Sequence, residues 1–319
     1  MKHAPDSLSG QIERLATRAR SKGQHLLAGL ENQNRWQDAA AVISKKVHGW
    51  PMITFVVVGN GNLYGGDFRR RLAATLEWNL GRTGGRAIYV EWNPSADAPL
   101  EAPWLVERFP QLDVYVVSPK KHQQLSTNPN IPAMEFFAKN VGIRRATTPW
   151  IGVVNADVAL GPDLIAHLPL VHDPSTAYGG NSASISWDGE PLTEALLLDP
   201  ARRVSASAAH PSLLGYCGNF LLAHRDAWHR ARGYDEKLTA HRAGCDDHAM
   251  LQLHALGIRT RILGTRYEFE DLGSWKHGPR PHHGHAWDFR AGVPYRNADD
   301  WGLANARQAL IGERTWWLE

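Results

Sequence analysis

Two polar side chains interrupt an apolar run between Trp150 and Leu160, a stretch that reads WIGVVNADVAL. Asn155 and Asp157 stand two residues apart, so on a regular strand both side chains face the same way. A carboxylate at the end of a buried strand can hold Mg²⁺ or Mn²⁺, since both ions prefer hard oxygen ligands. Asp157 could instead cap a turn or helix before Gly161-Pro162-Asp163. The pattern alone leaves both interpretations open.

A second pair of carboxylates, Asp246 and Asp247, opens the predicted helix DDHAMLQLHALG. Acidic residues in a first turn interact favourably with the helix dipole, which is one interpretation of the pair. A carboxylate in this position could equally act as a general base towards a hydroxyl group. Further along, WKHGPRPHHGHAWDF holds four histidines, any of which could complete a metal shell or lie on the surface. Their spacing does not match a zinc finger.

The elements that would position these residues alternate between strands and helices. Met52–Val58, MITFVVV, has the continuous β-branched and aromatic pattern of a strand buried on both faces. Such alternation predicts an α/β fold with a mainly parallel central sheet flanked by helices. Ligands of such sheets bind beyond the carboxyl ends of the strands. The other predicted strands are Arg86–Glu91, Val114–Val117 and the start of WIGVVNADVAL, and the predicted helices are Phe68–Leu80, Ala133–Ala146, Arg225–Ala231 and Asp246–Leu256.

Composition excludes several classes of protein. The 319 residues carry 35 basic and 32 acidic side chains, a balance that gives no electrostatic argument for nucleic-acid binding. Two cysteines, Cys217 and Cys245, indicate free thiols in a reducing compartment. Neither an apolar run of about 18 residues nor a secretory leader is evident, so a cytoplasmic protein is expected. Tyr64 occupies a position where a dinucleotide-binding fingerprint needs glycine, and a P-loop is absent.

We predict three segments along the chain: a helical extension over residues 1–48, one domain over residues 49–290, and a C-terminal tail over residues 291–319 that packs on the domain. In the extension, Ile12 and Leu15 recur at helical spacing among arginines. This pattern is typical of an arm that packs on the domain or on a second subunit. Peripheral contact with a membrane surface is the alternative.

Four motifs in order resemble the GT-A (Rossmann-like) glycosyltransferases, particularly the family 2-like group, over about residues 50–290. Met52–Gly59 looks like the family's first nucleotide-binding strand, and AKNVGIRRATTPWIGVVNADV resembles its helix, strand and D-x-D segment. GNFLLAHRDAWHRARGYDE and GCDDHAMLQLHALG resemble the two later motifs. The chain departs from the family at Asn155, where D-x-D has an acid, at Asp246, where Glu is common, and at Glu91-Trp92-Asn93.

The resemblance implies roles for particular residues. Asp247, preceded by Asp246, falls where the family has its catalytic base. Asp157 falls at the metal-binding acid of D-x-D, with His283 or His285 as a further metal ligand. The resemblance further implies that donor-binding residues are Gly59, Glu91, Asn93, Asn140, Asn155, Gly218 and Asn219.

The implied reaction is transfer of a sugar, with inversion, from a UDP- or GDP-sugar to an acceptor hydroxyl by a hexosyltransferase-like enzyme that uses Mn²⁺ or Mg²⁺. Trp187, Trp228 or Trp275 would form the floor of the acceptor pocket, or would pack in the core. A nucleotidyltransferase is the first alternative. Such an enzyme would have a basic residue in the loop after the first strand, and Gly59–Asp67 contains none. A catalytically silent protein that binds nucleotide sugars or carbohydrate is the second.

Overall fold

The computed structural model describes residues 38–42, 45–46, 50–60, 67–207, 219–237, 245–269 and 296–319. Most of the predicted N-terminal extension lies outside these ranges. The described part of it is helical and contacts the domain, since Asp38 Oδ1 lies 2.9 Å from the Nε2 of His167. None of the described helices is both long and apolar enough to cross a bilayer.

The described residues form eleven strands in one sheet and eight α-helices on its two faces. The strands are β1 (Ile53–Gly59), β2 (Arg86–Trp92), β3 (Leu112–Val117), β4 (Trp150–Val154), β5 (Val158–Leu160), β6 (Thr176–Ile185), β7 (Arg203–Ser207), β8 (Phe220–His224), β9 (Arg259–Phe269), β10 (Gln308–Gly312) and β11 (Thr315–Leu318). The helices are α1 (Phe68–Thr83), α2 (Ala102–Arg108), α3 (Pro119–Leu125), α4 (Glu135–Arg145), α5 (Pro162–His167), α6 (Glu194–Leu198), α7 (Arg225–Ala231) and α8 (Cys245–Ala255).

The sheet has a parallel half and a mixed half. Its strand order is β10-β11-β3-β2-β1-β4-β8-β6-β9-β5, with β7 paired to β6. The strands from β11 to β4 are all parallel to their neighbours in this order. From β4 onwards every pair is antiparallel except β6 and β9. The predicted α/β class is confirmed, and the predicted parallel pairing is concentrated in the half that contains β1.

Alternation along β1 explains its unbroken apolar sequence. Ile53, Phe55 and Val57 belong to the core on the face that α1 and α2 cover. Val56 and Val58 belong to the core on the opposite face, under α4 and α7. A strand in the middle of a parallel sheet is covered on both faces, so every position along it favours an apolar side chain.

The stretch WIGVVNADVAL is two strands, which corrects the prediction that Asn155 and Asp157 share one face of a regular strand. β4 ends at Val154, and Asn155 opens a tight turn in which its carbonyl accepts the Val158 N–H at 3.2 Å. β5 then starts at Val158 and pairs with β9 rather than continuing along β4. Side chains in a turn do not alternate, so the two polar residues take different partners.

Candidate functional site

The turn between β4 and β5 carries a chain of polar contacts that ends at a second carboxylate. Asn155 Nδ2 donates to Asn219 Oδ1 at 2.9 Å, and Asn219 Nδ2 donates to Glu268 Oε2 at 2.8 Å. Asn219 directly precedes β8, while Glu268 lies on β9 opposite Val158. The sheet therefore places Asn155, Asn219 and Glu268 around Asp157, at the edge where β1 and β4 end.

The Asp157 carboxylate lies close to the Arg71 guanidinium and to the Glu268 carboxylate. Its Oδ2 lies 3.6 Å from the Nη1 of Arg71, a buried residue of α1 that also pairs with Asp67. Burial and the nearby Glu268 carboxylate raise the pKa of Asp157 to about 7, while Arg71 opposes this increase. The side chain remains 22% exposed and can thus be reached from solution. This carboxyl group lacks enough positive charge around it to stay fully ionised at neutral pH.

Asp246, in the first turn of α8, is paired with a lysine of α4. Lys139 on α4 donates to its Oδ1 at 3.1 Å, and the lysine side chain is only 6% exposed. Burial raises the pKa of Asp246, while Lys139 acts to lower it. The Glu135 carboxylate, in the first turn of α4, adds to the increase in the pKa of both Asp246 and Asp157.

The structure describes the backbone of Asp247, which lies in the first turn of α8. The residue before it, Asp246, is the one that pairs with Lys139. The predicted ligands Gly218, His283 and His285 lie outside the described residues, as does Trp275.

The ends of β1 and β2 form a separate small cavity of about 210 Å³ at the same edge. Asn60, which follows β1, donates from Nδ2 to the carbonyls of Trp92 and Asn93 at 2.7 and 2.8 Å. Asn93 adopts a left-handed conformation with φ of 52°, and its Nδ2 donates to Pro132 O at 2.8 Å. The cavity is lined by Asn60, Arg69, Glu91, Pro94, Ser95, Ala98, Pro99 and Glu101.

Glu91 and Gly59 shape this end of the site by packing. The Glu91 carboxylate accepts the backbone N–H groups of Glu101 and Ala102, at 3.0 to 3.3 Å, and so holds the start of α2. Burial raises the pKa of Glu91 to about 7 despite these bonds. At Gly59, a Cβ would lie 2.4 Å from the ring of Phe68, so no larger residue fits beside α1.

Asn140 makes its described contacts with the protein itself. It is fully buried, and its Nδ2 donates to Tyr234 O at 2.8 Å and to Glu236 Oε1 at 2.9 Å. Its Oδ1 accepts the Tyr234 N–H at 2.7 Å. Gly233 is required beside it, because φ is +69° there and a Cβ would lie 2.1 Å from Asn140 Oδ1. These bonds secure the turn after α7 to α4.

The donor set near Asp157 fits a hard divalent cation. Two carboxylates, Asp157 and Glu268, stand beside the amide oxygens of Asn155 and Asn219, and all are oxygen donors of the type that Mg²⁺ and Mn²⁺ prefer. The raised pKa of Asp157 indicates that a positive charge at this point would be stabilised. Within the ranges that the structure describes, no group of three or more His, Cys, Asp or Glu side chains is gathered as a metal site.

Sequence reasoning missed two residues of this site, Glu268 and Arg71. Glu268 lies 111 positions after Asp157, and only the antiparallel pairing of β5 with β9 brings them together. Arg71 could have been recognised from the sequence, because its helical spacing places it on the buried face of α1 with Phe68, Leu72 and Thr75. A charged residue on the buried face of a helix commonly has a buried partner.

Comparison with known proteins gives matches in structure alone. No protein-family model and no curated protein sequence matches this chain. GalNAc-T7 with UDP, GalNAc and Mn²⁺ is similar at a TM-score of 0.46 and 12% identity, over 74% of this chain and 46% of that one. TarS of S. aureus is similar at 0.43 and 12%, over 69% and 37%. The mannosyltransferase PcManGT from Pyrobaculum calidifontis, in complex with GDP-Man and Mn²⁺, is similar at 0.40 and 16%, over 76% and 66%.

These proteins are glycosyltransferases of the GT-A type. This chain spans less than two thirds of the length of each of them. With TM-scores below 0.5, we transfer no residue role from them, and the assignments below depend on the geometry of this chain.

Proposed function

We propose that this protein is a glycosyltransferase that moves a sugar from a nucleoside-diphosphate sugar to an acceptor hydroxyl, with inversion. The observation that carries the proposal is the pairing of β5 with β9, which brings Glu268 beside Asp157 at the edge where β1 and β4 end. Open α/β sheets bind their ligands at this edge.

The donor's nucleoside would occupy the cavity of about 210 Å³ between the ends of β1 and β2. Asn60 fixes the loop after β2, and Asn93 takes the left-handed conformation that turns this loop away from the sheet. Arg69 lines the cavity and pairs there with Glu101 at 2.8 Å. Its guanidinium would exchange this carboxylate for a phosphate of the donor. The diphosphate would then point along the edge towards Asp157.

Asp157 and Glu268 would hold Mn²⁺ or Mg²⁺, with Asn155 and Asn219 as neutral oxygen donors beside them. Such an ion, when bound, neutralises the negative charge that develops on a departing diphosphate. Arg71 contributes a fixed positive charge to the same region, and its burial between Asp67 and Asp157 keeps its guanidinium in place.

Asp247 would accept the proton of the acceptor hydroxyl as its oxygen attacks the anomeric carbon. Its place in the first turn of α8 follows Asp246, whose bond to Lys139 ties that turn to α4. One displacement at the anomeric carbon, with the base on the side opposite the leaving group, inverts the configuration. A nucleotidyltransferase or a silent binding protein would not need this base.

The donor is tested by thermal shift with UDP-, GDP-, dTDP- and CMP-sugars, each with and without Mn²⁺. We expect one nucleotide sugar to raise Tm, and Mn²⁺ to enlarge that rise, because a ligand that binds only the folded state stabilises it by mass action. Asp157→Asn and Glu268→Gln should remove the Mn²⁺-dependent part. Asp226→Asn is the matched control, since its side chain is 73% exposed and distant from the edge. The absence of any metal-dependent shift would contradict the proposal.

The base is tested by Asp247→Asn in a transfer assay with the donor identified above. Turnover should fall by about 10²- to 10⁴-fold, the usual contribution of a positioned general base, while donor affinity is retained. Unchanged turnover would show that Asp247 is not the base. Wild-type protein that binds the donor but never hydrolyses or transfers it would favour the silent binding protein.

A further inference from the structure

A second cavity, of about 480 Å³, runs along the outer side of α1. One wall is α1 itself from Arg70 to Arg82, and the opposite wall is the turn that follows β6, residues 187–192. At 1.5 Å per residue, the helical wall is about 18 Å long. We call this cavity the α1 groove. A groove with a wall of this length suits an elongated ligand.

Three arginines line the α1 groove, and two of them lie over tryptophans that also line it. The Arg70 guanidinium lies 5.2 Å from the ring centroid of Trp187, and that of Arg82 lies 4.5 Å from the ring of Trp78. The opposite face of Trp187 stacks on Phe269 at 4.7 Å. Both faces of Trp187 are thus covered, and the groove presents guanidinium groups rather than bare indole faces. Guanidinium groups held in this way are suited to bind carboxylate or phosphate.

Of the three arginines in the groove, two form ion pairs with carboxylates of the described residues and one does not. Arg82 pairs with Glu194 at 3.0 Å, and Arg108 pairs with Glu77. Arg70, by contrast, has no carboxylate within ion-pair distance among the described residues, and its Nη1 donates a long hydrogen bond to the Asp188 carbonyl at 3.4 Å. An anionic group in the groove would supply the partner that this arginine lacks.

Gly81 keeps the Arg82 end of the groove open. It lies inside α1, where glycine costs about 1 kcal/mol relative to alanine. A Cβ built at Gly81 would meet nothing within 4 Å. Nothing in the packing of the fold explains a glycine here, whereas an occupied groove does.

The groove leads to the candidate site. Arg70 lies in the first turn of α1, beside Arg71, whose guanidinium is 3.6 Å from Asp157. On the opposite wall, Trp187 stacks on Phe269, whose N–H donates to Asp157 O at 3.2 Å. A chain lying in the groove would therefore have one end close to the carboxylates.

We propose that the α1 groove binds an anionic oligosaccharide, the part of the acceptor that does not react. This inference rests on the proposed function, since it takes the acceptor to be a glycan. The acidic sugars would pair with Arg70, and the apolar sides of the sugar rings would pack on Pro191 and Leu192. The reacting hydroxyl would lie beyond Arg70, towards Asp157.

The test measures binding by calorimetry, without donor, of a tetrasaccharide of uronic acids and of its carboxyl-reduced neutral counterpart. We expect the uronate to bind at least 10-fold more tightly than the neutral sugar. Arg70→Gln should remove that difference, and Gly81→Leu should block both ligands. Leucine has open space at this position and is a better helix former than glycine, so the Gly81→Leu protein should fold with an equal or higher Tm.

Arg261→Gln is the matched control, because it removes the same charge from an exposed residue of β9 that does not line the groove. Its uronate affinity should equal that of the wild type. Equal binding of the two tetrasaccharides, or uronate binding that survives both groove variants, would overturn the proposal. Complete displacement of the uronate by an equal concentration of inorganic phosphate would overturn its glycan part. Donor hydrolysis without acceptor is measured in parallel, because its absence would count against the glycosyltransferase and leave the groove result standing.

Discussion

Three buried carboxyl groups, those of Glu91, Asp157 and Glu236, have pKa values raised to about 7, chiefly by burial. Their partners differ in kind. Glu91 and Glu236 accept hydrogen bonds from the backbone or an amide, and each joins two segments of the chain. Asp157 faces Arg71 and Glu268 instead. The same raised pKa therefore accompanies a structural role in two cases and a candidate ligand role in one.

The raised pKa of Glu236 predicts how stability depends on pH. Its protonated form favours the fold below the unfolded pKa of 4.5, and this contribution is lost as pH rises through the folded value of about 7. Glu236→Gln keeps an oxygen for the N–H groups of Asn140 and Gly302 but does not ionise. We expect the variant to match the wild type at pH 4.5 and to exceed it by about 2–3 kcal/mol at pH 8, in urea unfolding.

Glu313→Gln serves as the control for this prediction, because its side chain is 79% exposed. Its difference from the wild type should stay constant between pH 4.5 and 8. A Glu236→Gln protein that is less stable than the wild type at pH 8 would show that the ionised carboxylate is stabilising.

At the scale of elements, β5 depends on a helix in place of a neighbouring strand. It pairs with β9 on one side, and its other side faces α1. There the Asn79 side chain makes the hydrogen bonds that a neighbouring strand would make. Its Nδ2 donates to Val158 O at 2.9 Å, and its Oδ1 accepts the Leu160 N–H at 2.8 Å. Thr75 and Trp78 donate to the carbonyls of Ala156 and Leu160. These bonds fix the turn that carries Asp157.

Replacement of Asn79 tests this arrangement. Asn79→Leu leaves the Val158 carbonyl and the Leu160 N–H buried without partners, which costs about 1–3 kcal/mol for each group. We therefore expect a loss of about 2–4 kcal/mol in urea unfolding and a weaker Mn²⁺-dependent thermal shift with the donor. Gln123→Leu, an amide-to-leucine change on the exposed side of α3, should alter neither quantity. A stable Asn79→Leu protein would show that β9 alone holds β5.

At the scale of the whole molecule, β11 joins the C-terminal hairpin of β10 and β11 to the rest of the sheet. β11 runs parallel to β3, and Trp316 stacks on Tyr115 at 4.9 Å. Arg314 precedes this strand and donates to the carbonyls of Val106, Phe109, Pro110 and Leu112. One guanidinium thus attaches the C-terminal hairpin to the end of α2 and the start of β3.

Loss of this guanidinium should weaken the attachment of the hairpin. We expect Arg314→Ala to lower the free energy of unfolding by about 2–3 kcal/mol, since hydrogen bonds from a charged donor contribute about 1.5–3 kcal/mol and the freed carbonyls regain water in part. Arg307→Ala, an exposed arginine of the same segment, is the control and should change stability by less than about 0.5 kcal/mol. Equal effects of the two substitutions would contradict the role given to Arg314.

Local patterns in the sequence were sufficient to predict most elements of the parallel half. The apolar run at Met52–Val58 and the periodicity of Phe68–Leu80 correspond to β1 and α1. Helices α2 and α3 were not predicted, because each has seven residues and too few turns to show a period. The break after Val154 was also missed, since the turn is flanked by apolar residues on both sides.

The sequence by itself predicted the alternation of strands and helices in the parallel half, and it placed Asp157 at the end of a strand and Asp246 at the start of a helix. Tertiary structure decided their partners. Glu268 reaches Asp157 through the pairing of β5 with β9, Arg71 through the packing of α1 on β5, and Lys139 reaches Asp246 through the packing of α4 beside α8. Periodicity reports which face of an element is buried, but the partner across a contact depends on chain reversals that no local pattern contains.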